Sequence, residues 1–474
     1  MNMKKSLIKL LKCHGLFLLI LIFAAALRFY RLSEMASFDF DQEYASNFAY
    51  SVLREFPIQL IGQGLSVQGL FMGPLYFYYL VPFFAIFNLH PIGGAVGSVF
   101  LGLGIIVAYY YYANKLFGRP AGLIGAFLRA VLFCKLQSDW SMTPAFSSEL
   151  LVLVTWYCFY QYWKGNTKCL PLLGLVFGLY TSFHPILFPF YLVFLVLLLL
   201  RRNWPNLKIL LLSIGAFVIP IMPLILFEYF HKFLEVKLLF NLLLSSKTEA
   251  ATPFIAKFMT YVKTILVGPQ HVLGIEIGSP YLLSGIVLGA MVIFIFKKIH
   301  IWQDSFHLLT LGITFLAFVL YYYFLPVHVP EYYFMAPITL LFFYLLGLLG
   351  YLATKPGIQL IVMVFLVYVA LTNIKILDQI KWSHPNLTTL AYKDRIVKEI
   401  LKRQPPDKDF FISYIKLPGW NFGFKYLFKL YGRVSQNDLV EGSIYTIVTP
   451  KSLTPGSIDV DSGNVGLILP ERQK

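Results

Sequence analysis

Three acidic residues stand close together near the beginning of the chain, in the stretch 38–44, which reads FDFDQEY. Asp39, Asp41 and Glu43 fall within five residues, directly after the first long apolar segment. Carboxylates in such a place can act as a general base for a hydroxyl group, or can hold a divalent cation. A solvated acidic loop has the same pattern, so the surrounding residues must decide whether the cluster is functional.

Basic residues occur where an apolar segment would ordinarily have none. Arg28 and Arg31 end the first apolar segment. They either bind an anionic lipid phosphate or pair with Asp39 and Glu34. Arg129 lies near the middle of a later apolar segment, where a charge costs at least about 2.5 kcal/mol on insertion scales. We expect Arg129 to pair inside a helix bundle.

Further polar side chains lie at the ends of later apolar segments. The candidates for substrate binding, besides Arg28 and Arg31, are Lys135, Asp139, His184, His328, Glu331 and Tyr332. A histidine between two apolar helices, such as His184, is often structural, and tyrosines are common at membrane interfaces. His328 and Glu331 have no such explanation. In the topology given below these groups share one face of the membrane, so we expect them to converge on one site.

The composition places the chain among membrane proteins. Of its 474 residues, 58% are hydrophobic and only 13% are charged, whereas a soluble domain has roughly 25% charged residues. A transmembrane helix needs about 20 mainly apolar residues. Segments that approach this length are 15–31, 92–113, 121–137, 147–163, 169–184, 185–200, 207–227, 281–298, 306–325, 334–353 and 358–374.

The net charge of +16 does not indicate a nucleic-acid-binding protein. Much of the positive charge lies in short clusters between apolar segments, as at Arg201 with Arg202 and Lys297 with Lys298. Cytoplasmic loops of membrane proteins have this distribution. The four cysteines lie in or beside apolar segments without metal-ligand spacing, so we expect neither disulfides nor a zinc centre.

Loop charge predicts the topology. With a cytoplasmic N-terminus, the basic clusters stay inside only if the apolar stretch 71–89 does not cross the membrane. We therefore interpret 71–89 as a helix or re-entrant segment at the outer surface, where Gly73, Pro74 and its tyrosines suit an interface. The outer regions are then the first loop, about 32–90; a turn at 137–144; a loop, about 228–280; and the C-terminal tail.

The tail changes in character and predicts a separate domain. The segment 392–404 has the pattern of a charged amphipathic helix, and short strand-like runs follow it at 410–415, 443–448 and 465–469. The predicted fold is an all-α polytopic membrane bundle of about 11 transmembrane helices, with a small α/β extracytoplasmic C-terminal domain. The predicted domains are a transmembrane domain, 1–375, and the C-terminal domain, 376–474.

Three stretches of the first half resemble a known family: DFDQEYA at 39–45, LIG at 60–62 and GPLYFYYL at 73–80. They are similar to the C-type (GT-C) membrane glycosyltransferases, in the branch of protein O-mannosyltransferases and lipid A aminoarabinose transferases with their prokaryotic relatives. That family has an acidic motif in its first outer loop, followed by a Pro-Leu-Tyr-Tyr type segment near the membrane surface. The resemblance covers about residues 15–230.

The resemblance implies transfer of a hexosyl or pentosyl group from a polyprenyl-phosphate donor to a lipid, glycan or protein acceptor. Transfer would take place on the outer face of the plasma membrane, with inversion at the anomeric carbon. It would serve the cell envelope, for example in protein glycosylation. Asp41 best matches the family's base, and Asp39 is the alternative. Gln42 stands where many relatives have Glu, so Glu43 is a candidate by a shift of register. Metal dependence stays open, with Asp41 and Asp139 as ligands if a divalent metal is present; no other cofactor is expected.

Two other functions remain open. A flippase or transporter for lipid-linked saccharides would have polar residues along its helices at mid-membrane, and this chain has few. A polysaccharide polymerase or ligase would use cationic groups in a late outer loop. The loop 228–280 offers Lys247, Lys257, Lys263 and His271 for that purpose.

Overall fold

The computed structural model describes residues 2–55, 58–244, 254–275, 278–297, 304–324, 329–383, 388–406, 408–433 and 443–470. Within these ranges the membrane part consists almost entirely of helices. They are α1 (Asn2–Phe29), α2 (Leu32–Met35), α3 (Phe40–Tyr50), α4 (Leu75–Ile86), α5 (Ile92–Phe117), α6 (Arg119–Val131), α7 (Phe133–Trp140), α8 (Pro144–Ser147), α9 (Glu149–Trp163), α10 (Leu170–Phe183), α11 (Pro189–Arg201), α12 (Leu207–Phe230), α13 (Leu234–Leu244), α14 (Phe254–Leu273), α15 (Leu282–Phe296), α16 (Ser305–Phe324), α17 (Met335–Leu352) and α18 (Ile358–Ser383). A π-helical turn follows α3 at Ser51–Glu55, and a 3-10 turn, Glu331–Phe334, leads into α17.

Several of these helices are long and apolar enough to cross a membrane. In the described ranges five qualify by length and composition alone, namely α5, α12, α16, α18, and α17 taken with its preceding turn. The pair α6 and α7 makes a sixth if the two count as one span. Of the remaining predicted spans, 15–31 coincides with the apolar part of α1, His14–Phe29, and the others coincide with helices of 13–15 residues. The chain is a multi-pass membrane protein, and the predicted fold class is confirmed.

The predicted span 121–137 is not one continuous helix. It is divided at Leu132 into α6 and α7, which meet at an angle of 66°. The stretch 71–89 contains α4, whose 12 residues reach about 18 Å at 1.5 Å per residue. Such a helix is shorter than the hydrocarbon core of a bilayer, about 30 Å. The outer segment 228–280 is largely helical, since it holds α13 and α14.

Small residues allow close contact between α10 and α12. On α10, a side chain at Gly174 or Gly178 would meet the backbone of α12, because a Cβ atom there would lie 2.3 Å from Ser213 O or 2.4 Å from Phe217 O. Small residues four apart are a common way to bring two membrane helices together. Elsewhere α12 is almost fully exposed, as expected of a helix that faces lipid.

The C-terminal domain consists of α19 (Leu390–Arg403), α20 (Phe424–Leu430) and four strands. The strands are β1 (Phe410–Lys416), β2 (Ser443–Thr449), β3 (Val460–Ser462) and β4 (Val465–Ile468). They form one sheet in the order β1-β2-β4-β3, in which β1 and β2 are parallel and the other pairs are antiparallel. The predicted amphipathic helix and all three predicted strand-like runs are confirmed; α20 and β3 were not predicted. Because α18 continues to Ser383, the proposed domain boundary at 375 falls inside a helix.

Alternating residues of β1 and one face of α19 form the core of this domain. Phe410 and Ile412 on β1 are buried, as are Ile396 and Ile400 on α19. The same apolar cluster continues into α3, α4 and α5 of the membrane part. The C-terminal domain therefore packs directly on the first outer loop, where the acidic residues lie.

Candidate active site

Asp41 lies in the first turn of α3, with its carboxylate held between two other parts of the chain. Gln63 Nε2 donates to Asp41 Oδ1 at 2.7 Å, and Thr143 Oγ1 donates to Oδ2 at 3.2 Å. The side chain of Asp41 is half-buried. Each oxygen of the carboxylate thus accepts one hydrogen bond, which fixes its orientation and leaves lone pairs for a further donor.

The other two acidic residues face the C-terminal domain. Asp39 Oδ1 accepts from Lys393 Nζ at 2.7 Å. Glu43 Oε1 accepts from the backbone N–H of Tyr426 at 3.0 Å. The carboxylates of Asp39 and Glu43 therefore face the C-terminal domain, whereas that of Asp41 contacts Gln63 and Thr143.

The turn that carries Thr143 is tied to α3 by a second residue. Gln42 Nε2 donates to Ser141 Oγ at 3.1 Å and to Thr143 Oγ1 at 3.2 Å. Ser98 Oγ on α5 donates to Ser141 O at 2.8 Å. The beginnings of α3 and α5 and the residues that follow α7 therefore form one hydrogen-bonded unit next to Asp41.

A buried network of charged side chains joins α1, α6, α7 and α9. Its members are Arg28, Arg129, Lys135, Asp139 and Glu149. Asp139 accepts from Arg28 Nε at 2.7 Å and from Arg129 Nη1 and Nη2 at 2.8 and 2.7 Å. Glu149 accepts from Arg129 Nε at 3.0 Å and from Lys135 Nζ at 2.7 Å. The expectation that Arg129 pairs inside the bundle is confirmed.

Arg28 also completes the broken span. The last carbonyl groups of a helix have no intrahelical partner. Arg28 donates to the carbonyl oxygens of Ala130 at 3.1 Å and Arg129 at 2.9 Å, at the end of α6. Because Arg28 is fully buried and bonded in this way, it pairs with Asp139 rather than Asp39 and lies within the protein rather than at an open phosphate site. Arg31 pairs with Glu34, as one of its two predicted alternatives.

A cavity of about 450 Å³ opens next to this network. Its lining includes the basic residues Lys135, Lys263 and His271, together with Glu331 and Tyr332. Lys135 is paired with Glu149. Lys263 has no salt bridge among the residues that the structure describes. The rest of the lining is mostly apolar or carries hydroxyl groups, so the cavity combines an apolar wall with an unneutralised cation.

Tyr332 connects this cavity with the other candidate residues. Its ring centroid lies 6.4 Å from that of Phe146, a second lining residue, and 6.3 Å from that of His184. The charge of the Asp41 carboxylate acts on the Tyr332 phenol. His184 and the Asp41 carboxylate therefore both lie near Tyr332. His328 lies outside the described residues.

His184 is held at the turn between α10 and α11. Its Nδ1 accepts from the backbone N–H of Ile186 at 3.2 Å, so a neutral ring carries its proton on Nε2. With this tautomer the ring can act as a hydrogen-bond donor through Nε2. It lines a second, more apolar cavity of about 280 Å³, whose wall also includes Glu235.

Comparison with known proteins agrees with this geometry. The family model described as dolichyl-phosphate-mannose-protein mannosyltransferase matches residues 72–227. ArnT from Cupriavidus metallidurans, solved bound to undecaprenyl phosphate, superposes with a TM-score of 0.59 at 11% identity, covering 96% of this chain and 98% of ArnT. Its apo structure gives a TM-score of 0.60. The chain has the GT-C fold.

A more distant structure shares the same fold. The oligosaccharyltransferase of Archaeoglobus fulgidus, solved with zinc and sulfate, gives a TM-score of 0.50 at 12% identity, over 93% of this chain and 68% of that protein. A search of curated proteins by sequence gives no match. Identities this low establish the fold, and the family match together with that fold supports a membrane glycosyltransferase. The resemblance predicted from the sequence is confirmed.

A metal held between Asp41 and Asp139 does not fit this GT-C site. Both oxygens of Asp139 accept hydrogen bonds from arginines, and a carboxylate neutralised by two guanidinium groups is a poor cation ligand. Among the described residues, no three His, Cys, Asp or Glu side chains are grouped as metal ligands. Asp41 keeps free lone pairs, but no second acidic side chain accompanies it in the membrane part.

Sequence analysis missed three residues of the site. Gln63 and Thr143, which orient Asp41, carry no charge and stand in no recognisable spacing. Lys393 belongs to an amphipathic helix whose pattern predicts exposed lysines, yet it is fully buried. Thr143 falls in the turn predicted at 137–144, but nothing in the sequence pointed to its contact with Asp41.

Proposed function

We propose that the chain is a membrane glycosyltransferase that moves a sugar from a polyprenyl-phosphate donor to an acceptor hydroxyl group on the outer face, with inversion at the anomeric carbon. The observation that carries this proposal is the separation of the three carboxylates. The Asp41 carboxylate is held by Gln63 and Thr143 near Tyr332, which lines the cationic cavity, while Asp39 and Glu43 face the C-terminal domain. Asp41 is therefore the candidate base.

The larger cavity is the candidate site for the donor phosphate. A lipid phosphate at the bilayer surface needs a cationic partner next to apolar walls, and this cavity supplies Lys263, Lys135 and His271 in such a setting. ArnT, which has the same fold, was solved with undecaprenyl phosphate bound. We propose a polyprenyl-phosphate donor for this chain by analogy with ArnT.

In the proposed reaction, Asp41 accepts the proton of the acceptor hydroxyl group as its oxygen attacks the anomeric carbon. The bond between that carbon and the phosphate oxygen breaks, and its electron pair leaves with the lipid phosphate. Cations near the departing charge, above all Lys263, lower the barrier by electrostatic stabilisation. Attack on the side opposite the phosphate inverts the anomeric centre. Gln63 and Thr143 hold the carboxylate in position for the transfer of the proton.

The proposed orientation places the N-terminus in the cytoplasm and the C-terminal domain outside the plasma membrane. It rests on loop charge, since the outer face then receives Asp41, the cavity and the C-terminal domain together. Cysteines introduced at Ser37 and Gly118 should be labelled from opposite sides of the membrane by an impermeant maleimide. Labelling of both from the outside would show that the stretch 71–89 crosses.

The position of the basic residues on α14 keeps a polysaccharide polymerase or ligase as the second candidate function. Lys263 and His271 lie on α14, in the late outer segment, and both line the cavity. This class shares the lipid-linked donor and differs in transferring a glycan to a growing chain or a lipid core. Identification of the acceptor in a transfer assay separates the two classes.

The test of the proposal is transfer by the full-length chain in lipid nanodiscs, with a panel of radiolabelled polyprenyl-phosphate sugars. Asp41→Asn keeps the shape and the hydrogen bonds but removes the proton acceptor, so transfer should fall by about 10²–10⁴-fold. Binding of undecaprenyl phosphate should stay unchanged. Asp39→Asn is the matched control and should lose about 10-fold or less.

Each outcome of this comparison bears on the base. Near-normal transfer by Asp41→Asn would remove Asp41 from that role. A larger loss in Asp39→Asn would move the base by two residues. If neither variant loses transfer while both bind the lipid, or if the wild type binds the lipid and moves it across vesicles without transfer, the flippase alternative takes precedence.

A further inference from the structure

Lys393 is a fully buried lysine whose ammonium group is saturated by oxygen atoms. Its Nζ donates to Phe38 O at 2.6 Å, to Asp39 Oδ1 at 2.7 Å and to Phe422 O at 2.8 Å. An ammonium group has three donors, so each is used. Burial lowers the pKa of Lys393, and the charge of Asp39 opposes that effect. The side chain also lies over the ring of Phe424, at 5.4 Å from its centroid.

The acceptors of Lys393 come from two separate regions of the chain. Phe38 and Asp39 immediately precede α3 in the first outer loop, and Phe422 immediately precedes α20 in the C-terminal domain. Lys393 itself lies on α19. The ammonium group therefore joins the beginning of the helix that carries Asp41 to two elements of the C-terminal domain.

Other contacts also join the same two regions. Leu390 N–H donates to Ala36 O at 2.9 Å, and the rings of Phe40 and Phe422 are in edge contact at 5.0 Å. Glu43, one turn further along α3, accepts from Tyr426 N–H. Backbone and ring contacts hold the two parts together. A charged group with three fixed acceptors also sets their rotation and register, which an apolar residue would leave free.

We propose that Lys393 is a positioning residue for Asp41: through Phe38 and Asp39 it fixes the beginning of α3, and so the direction in which the base points. The C-terminal domain then contributes to the active site by holding α3 in position. The effect of Lys393 on catalysis rests on the proposed function. Its effect on the position of α3 rests on the hydrogen bonds alone.

The expected effect of Lys393→Met is a loss of turnover without a loss of donor binding. A misplacement of about 1 Å can cost a reaction about 100-fold, so kcat should fall by about 10–100-fold. The KM for the donor on which the wild type is active, and the affinity for undecaprenyl phosphate, should stay within about twofold of the wild-type values because the donor cavity lies on other elements. Hydrogen–deuterium exchange should accelerate in residues 40–50 and leave α5 and α17 unchanged.

A double-variant cycle distinguishes positioning from a general loss of structure. If Lys393 acts through Asp39, the variant that combines Lys393→Met with Asp39→Asn should be no slower than Lys393→Met alone. Lys398→Met is the matched control: this lysine lies on the same helix, is exposed and pairs with Asp394. It should keep the wild-type kcat. Where Lys393→Met does not fold, Asp39→Asn alone reports the same contact, since its side chain is half exposed.

The outcomes separate this inference from the function on which it rests. An inactive Asp41→Asn together with a Lys393→Met that keeps its kcat and its exchange in α3 would overturn the positioning role and leave the base in place. An active Asp41→Asn would overturn the base, whereas faster exchange in α3 of Lys393→Met would still show the mechanical link. A parallel loss of kcat, donor affinity and thermal stability would mean that Lys393 supports the fold alone.

Discussion

Arg129 and Asp139 form a two-point ion pair in the interior of the bundle, with N–O distances of 2.8 and 2.7 Å and side chains that are 0% and 4% exposed. The two residues lie on either side of the 66° bend between α6 and α7. The ion pair therefore holds α6 and α7 together across the bend. Arg28 adds a second cation to the same carboxylate. A bent span of this kind brings Lys135, three residues past the break, to the donor cavity.

The first prediction concerns this pair. Asp139→Asn removes the only carboxylate that Arg28 and Arg129 share, and it should destabilise the fold by about 3–5 kcal/mol because a buried charge is left uncompensated. Asp461→Asn breaks an exposed pair with Lys451 in the C-terminal domain and should change stability by about 0–1 kcal/mol. Unfolding in detergent, followed by tryptophan fluorescence, measures both. Equal small changes would show that the network does not stabilise the bend.

The second prediction compares two glycines of α5. At Gly102 an added Cβ atom would lie 2.2 Å from Cγ of Asp139, whereas at Gly104 nothing lies within 4 Å. Gly102→Ala should displace the carboxylate and cost about 1–3 kcal/mol. Gly104→Ala should be neutral or stabilising by up to about 1 kcal/mol, because alanine favours the helix. The two variants differ only in what the methyl group meets, so the same unfolding assay compares them directly. Equal stability of the two would mean that Asp139 moves aside freely.

Local sequence patterns predicted most of the architecture. Apolar length predicted the membrane helices, and short strand-like runs predicted the strands at 410–415 and 443–448, since these signals lie within a few neighbouring residues. The acidic cluster and its resemblance predicted Asp41 as the candidate base. The character of the tail, a helix followed by strands, also needed no distant contact to be recognised.

Long-range pairing is what the sequence did not reveal. Arg28 and Asp139 are 111 residues apart, and Asp39 and Lys393 are 354 apart. Neither pair has a spacing that a periodic pattern could indicate. The break at Leu132 was hidden for a related reason: an apolar residue in an apolar segment has no helix-ending signal, and the groups that stabilise the bend, Arg28 on the free carbonyls of α6 among them, are distant in sequence.

The third prediction tests the donor cavity by binding alone. Lys263→Gln removes the cation that has no partner among the described residues, so the affinity for undecaprenyl phosphate should fall by about 10–150-fold, in line with about 1.5–3 kcal/mol for a charge-assisted contact. Lys257→Gln is the control on the same helix, because Lys257 lies over Tyr323 and does not line the cavity. Microscale thermophoresis in nanodiscs measures both. Equal affinities for the wild type and Lys263→Gln would place the phosphate elsewhere.

The last prediction is a pH dependence at the second cavity, where Glu235 on α13 meets the first outer loop. Glu235 Oε2 accepts from Phe71 N–H at 3.2 Å, while Oε1 is buried without a partner among the described residues. Burial raises the pKa of Glu235 to about 7; the hydrogen bond from Phe71 N–H opposes this rise, and the charge of Glu228 adds to it. Since the folded pKa lies above that of an unfolded glutamate, about 4.3, protonation stabilises the folded state in which Glu235 is buried. This contribution to stability is fully present below the unfolded pKa and is lost as the pH rises through about 7.

Exchange measurements decide whether Glu235 behaves in this way. After correction for intrinsic rates, hydrogen–deuterium exchange in residues 65–71 and 234–241 should be slower at pH 6 than at pH 8. Glu235→Gln keeps a neutral side chain at every pH, so the difference between the two pH values should disappear in that variant. Glu228→Gln removes the carboxylate that accepts from the backbone N–H groups of Glu235 and Val236, and it should speed exchange at the start of α13 at both pH values. A difference between pH 6 and pH 8 that persists in Glu235→Gln would assign the titration to another group, and the absence of any difference in the wild type would mean that Glu235 keeps one protonation state over this range.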